Sequence, residues 1–192
     1  SSDVCSSDLN WYGKFNLAIQ NVDFDNVTTD DELNLDSTGS RLGIRASDDL
    51  DNGMTAWIWS EWTMNPSDAN GATAQFQNKD TLVGLSGDFG TIAGGTSGSA
   101  YKGFANGFDL MGDSFADFND WGIIAPAGEG VGYSNSIGAV SFALGAQLDD
   151  NESTTDTDTA ANLVYSEGPL TIGVAVYDTS DSGTAGTAKA AD

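Results

Sequence analysis

The chain has 192 residues and carries 29 acidic against six basic side chains, a formal net charge of −23, with no histidine and one cysteine. This charge balance argues against nucleic acid as a partner, because phosphate binding needs clustered cations. Without histidine the chain lacks the usual general base and most transition-metal ligand sets, which argues against an enzyme. We therefore expect no catalytic residue, no metal site and no cofactor.

The first nine residues differ from the rest of the chain. They have neither the basic start nor the apolar run of a secretory signal, and they contain the single cysteine, Cys5. Their sequence resembles a translated sequencing adaptor, and a natural disordered tail is the alternative. We therefore set residues 1–9 aside and expect residues 10–192 to belong to one domain.

The dominant pattern is the alternation of apolar with small or polar side chains at every second position, which is typical of β-strands. It is clearest at residues 15–20, 140–148 and 170–177. The pattern suits a soluble sandwich, whose apolar face meets a second sheet, and equally a membrane barrel, whose apolar face meets lipid. We predict nine strands, near residues 10–22, 38–47, 54–65, 80–87, 90–97, 131–137, 140–148, 160–166 and 170–178.

The connections between these strands alternate between short turns and long loops. The short turns contain turn-forming pairs such as Asn52 with Gly53 and Gly168 with Pro169. The long loops are residues 23–37, 66–78, 100–130 and 149–159. Tight turns at one end of the sheet and long loops at the other are typical of bacterial outer-membrane barrels, which have even strand numbers. Nine strands therefore predict an all-β, antiparallel transmembrane β-barrel that is incomplete, an open curved sheet.

Four short sequence motifs resemble those of a known protein family. They are Trp-Tyr-Gly-Lys-Phe at 11–15, Ser-Arg-Leu-Gly-Ile-Arg at 40–45 with Asp-Asp-Leu-Asp-Asn-Gly at 48–53, Val-Gly-Leu-Ser-Gly-Asp-Phe-Gly-Thr at 83–91, and Tyr-Ser-Asn-Ser-Ile at 133–137. In this order and spacing, over residues 10–177, they resemble the general diffusion porins of the Gram-negative outer membrane.

The resemblance implies a water-filled barrel of about 16 strands, a size that leaves an aqueous channel. This chain would supply its N-terminal part. The resemblance also implies an outer-membrane location among lipid and lipopolysaccharide, and a homotrimer when the protein is full length. The implied function is passive diffusion of ions and small hydrophilic solutes.

The resemblance further implies that the third long loop, residues 100–130, folds into the lumen and places acids opposite a basic cluster on the wall. The residues that match the basic cluster are Lys14, Arg41 and Arg45, and Glu61 is also expected to face inward. The loop lacks the family's Pro-Glu-Phe-Gly-Gly phrase, so all its acids are candidates: Asp109, Asp113, Asp117, Asp120 and Glu129. Gly95 and Ser134 stand where the family often has arginine. An acidic mouth and a weakened basic wall predict a preference for cations.

Two other functional classes remain open. A secreted β-sandwich adhesin or carbohydrate-binding module would use the acidic loops and exposed tryptophans. An outer-membrane hydrolase is disfavoured by the absence of histidine. Residues 49–53 and 155–159 resemble calcium loops but lack the full ligand spacing, so they are interpreted as a turn and a solvated loop.

Overall fold

The computed structural model describes residues 8–22, 32–50, 52–67, 75–114, 117, 127–148 and 157–179. The elements, in chain order, are β1 Asp8–Lys14, β2 Leu17–Val22, β3 Glu32–Ser37, β4 Arg41–Asp49, β5 Thr55–Met64, β6 Phe76–Gly87, β7 Gly90–Gly98, α1 Ala100–Asn106, β8 Ala127–Ile137, β9 Val140–Leu148, β10 Thr157–Glu167 and β11 Leu170–Asp178. Strands therefore dominate the described chain, and the one described helix follows β7.

Nine of the strands form one antiparallel sheet in the order β1-β4-β5-β6-β7-β8-β9-β10-β11, and β2 and β3 pair separately as a two-stranded ribbon. Strands β1 and β11 each have one neighbour, so the described sheet is open rather than closed. The predicted all-β class and the open nine-stranded antiparallel sheet are confirmed. Two large sheets packed face to face, as a sandwich requires, are not found among the described residues.

The first predicted strand differs from the structure because a β-bulge interrupts it. Lys14 pairs with Arg41 and Leu17 pairs with Ser37. The two residues between Lys14 and Leu17 therefore face the three residues between Ser37 and Arg41. Gly39 lies in the bulge and has a φ of 79°, a left-handed conformation that favours glycine. The predicted strand 10–22 is therefore two strands, and part of the predicted loop 23–37 is β3.

The start of β1 also lies outside the predicted boundary. Asp8 pairs with Ser47 and Leu9 with Ala46, so the sheet includes two residues that the sequence assigned to the leader. Residues 1–7, with Cys5, lie outside the described residues.

The cross-strand register divides the sheet into two faces. On the apolar face, pairs such as Ile58 with Val83 and Leu163 with Val174 stand opposite each other. These side chains are exposed, with 57% of Val83 and 56% of Val174 accessible. Ala160 is the one apolar residue that is buried within the described part of the chain, whereas Ser40, Ser60, Glu61 and Ser99 are buried polar residues. The described sheet therefore has no hydrophobic core of its own.

The other face, the polar face, is the concave one. Helix α1 contacts it at β10, where Asn162 Nδ2 donates a hydrogen bond of 2.7 Å to the Ala100 carbonyl. Thirteen residues later, Asp113 contacts β1 and β4 at the far side of the sheet. Seven of these residues form helix α1, which rises only about 1.5 Å per residue, and turn hydrogen bonds such as that from Phe108 N to the Ala105 carbonyl compact the rest. The segment is therefore too short for a flat sheet, in which strands about 4.8 Å apart would separate β1 from β10 by about 34 Å, and the sheet curves around it. Among the described residues, no helix has the length and apolar run needed to cross a bilayer.

The open sheet predicts how the 192-residue chain behaves alone. Strands β1 and β11 leave N–H and C=O groups unpaired at the two edges, and each such group costs several kcal/mol in lipid. We expect the purified chain to aggregate and to give no discrete conductance steps in a planar bilayer. The full-length protein, refolded identically, is the control. Reproducible steps from a chain shown to be monomeric would contradict this prediction.

Candidate functional site

Charged side chains gather on the polar face where β1, β4, β5 and β6 are adjacent. The register explains the grouping, since Lys14 is opposite Arg41, and Gly43 is opposite both Tyr12 and Glu61. Arg45 is opposite Trp59 on the same face. We call this group the wall cluster, and it consists of Lys14, Arg41, Arg45, Glu61 and Lys79.

Glu61 is the buried centre of the wall cluster. Only 4% of Glu61 is exposed, and its Oε1 lies 2.5 Å from Lys79 Nζ and 3.8 Å from Arg41 Nε. Its Oε2 accepts a hydrogen bond of 2.6 Å from Tyr12 Oη. A buried carboxylate is stable only when charges and donors satisfy it in this way.

Sequence reasoning missed Lys79 because a second irregularity breaks the alternation. The pairing of β5 with β6 shifts between Glu61 and Trp62, from Asp80 to Asn78, and leaves Lys79 without a directly opposed residue. A bulge re-aims the side chain at this position. No period-two pattern could have assigned Lys79 to the polar face.

Arg45 has a different environment. Its guanidinium carbon lies 5.1 Å from the ring centroid of Tyr12 and 5.2 Å from that of Trp59, within cation–π range. Trp59 Nε1 donates a hydrogen bond of 2.5 Å to Tyr12 Oη, which fixes the two rings together. Among the ion pairs of the described residues, none involves Arg45. Arg45 is therefore held by aromatic rings while its charge is exposed.

Asp113, in the third loop, joins the loop to the wall cluster. Lys14 Nζ donates to its Oδ2 at 2.8 Å, and Arg41 Nη1 donates to both carboxylate oxygens at 2.8 Å. Burial alone would raise the pKa of Asp113, but the hydrogen bonds and charges of Lys14 and Arg41 outweigh it and hold the pKa below the ordinary 3.8. The carboxylate is therefore ionised at neutral pH and in mild acid.

The other acids predicted for the loop are placed differently. Asp109 accepts a hydrogen bond from Met111 N within the loop, and Asp117 Oδ2 accepts one from Asp113 N. Asp120 lies outside the described residues. Glu129 belongs to β8, opposite Thr96 on the apolar face, because β8 begins at Ala127 rather than at the predicted residue 131. The structure therefore brings Asp113 to the wall cluster and separates Glu129 from it.

Helix α1 holds the other end of the loop against the wall. Ser99 caps the helix by accepting a hydrogen bond of 3.1 Å from Lys102 N. The Phe104 ring lies so close to Gly173 that a Cβ on this glycine would be 2.4 Å from Phe104 Cε2. The described part of the loop thus lies along the polar face. In the part of the chain that the structure describes, no three metal-binding side chains come together.

An apolar face without a core, a polar concave face and a loop folded onto that face are features of outer-membrane channels. The model of the Gram-negative porin family matches residues 2–192 of the chain. The chain belongs to the Gram-negative porin family. The resemblance inferred from the four sequence phrases is therefore confirmed.

Two curated relatives are outer-membrane proteins. Outer membrane porin protein 32 of Delftia acidovorans is 26% identical over 196 residues, a match that covers 88% of this chain and 54% of the relative. Major outer membrane protein P.IA of Neisseria meningitidis serogroup C is 34% identical over 83 residues, covering 43% of this chain and 18% of the relative. The porin family membership and these relatives assign the chain to the outer membrane.

Two solved porin structures share the fold. The anion-selective porin from Comamonas acidovorans has a TM-score of 0.74 at 22% identity, over 91% of this chain and 58% of that chain. Salmonella typhi OmpF in complex with daunomycin has a TM-score of 0.71 at 15% identity, over 88% and 53%. This porin chain therefore spans about half the length of Delftia porin protein 32, at 54%, and of the solved chains.

The burial of Glu61 predicts a stability effect. Glu61→Gln in the full-length porin removes the carboxylate that pairs with Lys79 and Arg41, and we expect a loss of about 1–3 kcal/mol in the free energy of unfolding. Glu129→Gln is the matched control. Glu129 lies near the loop end of β8 on the apolar face and has none of the described ion pairs, so its neutralisation should not destabilise the protein. Urea unfolding in detergent measures both. Equal effects of the two substitutions would show that the wall cluster does not stabilise the barrel.

Proposed function

We propose that the full-length protein is a general diffusion porin, a water-filled channel through which ions and small hydrophilic solutes diffuse passively. The observation that carries the proposal is the contrast between the two faces of the sheet. The apolar face exposes large side chains and has no buried apolar residue among those described, since the buried Ala160 is opposite Gly145 on the concave face, which also carries the wall cluster. Charged groups on a membrane-spanning strand are tolerated where they face water, since an Arg or Lys facing lipid at mid-membrane costs about 2–4 kcal/mol.

The wall of β7, β8 and β9 supports the same proposal. Apart from Gln147, its polar-face positions carry mostly small side chains, which leaves room for solutes beside the loop. Gly95 is opposite Gly130 and Thr91 is opposite Ser134, so both positions where the family often has arginine lie on this face. The small positions are Thr91, Ala93, Gly95, Ser97, Gly128, Gly130, Gly132, Ser134, Ala143 and Gly145. This part of the wall adds no positive charge to the pore.

The channel is proposed to prefer cations. Three cations of the wall cluster pair with carboxylates, Lys14 and Arg41 with Asp113 and Lys79 with Glu61. The chain as a whole carries a net charge of −23, and fixed carboxylates raise the local concentration of cations in a narrow pore. The solved Comamonas protein is named an anion-selective porin, and at 22% identity its likeness to this chain shows the fold alone.

The proposed assembly is a homotrimer surrounded by lipid and lipopolysaccharide. An exposed apolar surface on the ribbon of β2 and β3 supports contact with a further subunit or lipid. Ile19 is opposite Leu35 on one face of this ribbon, and 74% of Ile19 and 50% of Leu35 are exposed. No catalytic step is proposed, since diffusion requires none.

The reversal potential of the full-length porin in a planar bilayer under a KCl gradient tests the proposal. We expect discrete conductance steps and a reversal potential of the sign that cation preference gives. Replacing Asp109, Asp117 and Asp120 jointly by Asn, with Asp113 kept, should lower the preference because the mouth loses negative charge. Anion preference in the unmodified protein would contradict the proposed selectivity, and the absence of conductance steps would contradict the channel itself.

A further inference from the structure

Asp113 differs from the other acids of the third loop in the way it is held. Its carboxylate touches two wall cations at 2.8 Å, and its carbonyl oxygen accepts a hydrogen bond of 2.9 Å from Asn16 Nδ2. Its backbone N–H donates to Asp117 Oδ2 at 2.8 Å. The side chain and both backbone polar groups of Asp113 are therefore used in fixing one loop position.

We propose that Asp113 is a positioning residue that latches the third loop to the barrel wall and so sets a single stable pore width. It does so by direct contact, rather than as a separate negative charge across the pore from the basic cluster. The inference rests on the proposed channel function and adds which residue fixes the loop. The receiving surface, here called the socket, consists of Lys14, Asn16, Gly39 and Arg41.

The backbone of Asp113 supports a latch. Its φ is 60°, and it is the one non-glycine residue with a positive φ among the residues that the structure describes. An L-residue rarely adopts this left-handed conformation, and surrounding contacts must hold it there. A charge that acts only through its field would not need this backbone geometry.

The socket fits Asp113 because of the bulge between β3 and β4. Gly39 lies in this bulge, and a Cβ on Gly39 would be 2.3 Å from Asp113 Oδ1. Asn16 lies opposite this bulge, and its Nδ2 also donates a hydrogen bond of 2.8 Å to the Thr38 carbonyl. The extra residue in the strand thus makes a recess without a side chain, flanked by two cations and one amide.

The latch also determines which wall charges face solutes. While Asp113 is bound, Lys14 and Arg41 are paired with it. Removing the carboxylate takes away the described ion pair of Lys14 and leaves Arg41 with its 3.8 Å contact to Glu61, so the positive charge that faces the pore increases. A purely electrostatic role predicts a changed reversal potential with a steady current. A latch predicts the same shift together with new fluctuations of the open-channel current, because the loop is released.

Single-channel recordings of the full-length porin separate the two roles. We expect Asp113→Ala to spend about tenfold more time away from the main conductance level than the unmodified protein, as a two-state loop does when its favoured state is weakened. Asp109→Asn removes one charge from the same loop and is the matched control. It should keep a steady current, because the amide oxygen of Asn can still accept the hydrogen bond that Met111 N donates to Asp109. A steady current from Asp113→Ala would overturn the latch.

A disulfide tests the docking of the loop without the carboxylate. The variant combines Gly39→Cys and Asp113→Cys in a Cys5→Ser background. A Cβ on Gly39 would lie 3.0 Å from Asp113 Cβ, so a shift of the loop by less than about 1 Å gives the Cβ–Cβ separation of about 3.8 Å that a disulfide needs. We expect the bond to form, seen as a gel shift, and the current to be steady when oxidised and fluctuating when reduced.

Because the φ of 79° at Gly39 disfavours cysteine, circular dichroism first confirms that the variant folds. Failure of the folded variant to cross-link would show that the loop does not dock at the socket. Cross-linking with equally steady currents in both redox states would show that docking does not control pore width. If the unmodified protein gives no conductance steps, the proposed channel fails, whereas the gel shift still reports whether the loop docks.

Discussion

The structure depends on an apolar sheet face that the described chain cannot cover itself. A soluble β protein buries such a face against a second layer, but here exposed side chains such as Val83, Ile92 and Val174 have no apolar layer packed against them in the described residues. Lipid is the environment that can cover them. In lipid every backbone donor and acceptor must be paired within the sheet, which favours long antiparallel neighbours joined by tight turns. The strand order, in which chain neighbours pair from β4 to β11, follows from this requirement.

Because charges that face lipid are costly, the described ion pairs collect on the polar face. The described ion pairs all join residues of the wall cluster to each other or to Asp113. Buried polar residues take the place that apolar ones have in a soluble core, and Ser40, with 1% exposure, exchanges two hydrogen bonds with the backbone of Asn16 beside the bulge. The third loop is thus positioned by the same polar contacts that organise the wall. One set of residues therefore organises the polar face of the sheet and holds the described part of the loop.

The sequence predicted the features that depend on period two and on turn chemistry. Strand β9 at Val140–Leu148 and strand β11 at Leu170–Asp178 agree with the predicted ranges, since alternation and flanking turns define both. The same alternation assigns Lys14, Arg41, Arg45 and Glu61 to one face. The alternation fails at the two bulges, because one extra residue moves the side chains that follow to the other face of the sheet. The ribbon of β2 and β3 and the role of Lys79 were therefore not predicted. Nor could it select Asp113 among the loop acids, because the contact of Asp113 with Arg41 joins residues 72 positions apart.

The assignment of the concave face to water and the apolar face to lipid is the central claim, and cysteine labelling along β9 tests it most directly. Single cysteines are placed at positions 141–148 of the full-length porin, in a Cys5→Ser background, and the protein is reconstituted in lipid vesicles. A water-soluble thiol reagent that does not enter lipid should label Ser141→Cys, Ala143→Cys, Gly145→Cys and Gln147→Cys, which share the face of Ser134 and Gly130. The alternate positions Phe142, Leu144, Ala146 and Leu148 should stay unlabelled. Labelling of this second set instead, or labelling without a period of two, would contradict the account.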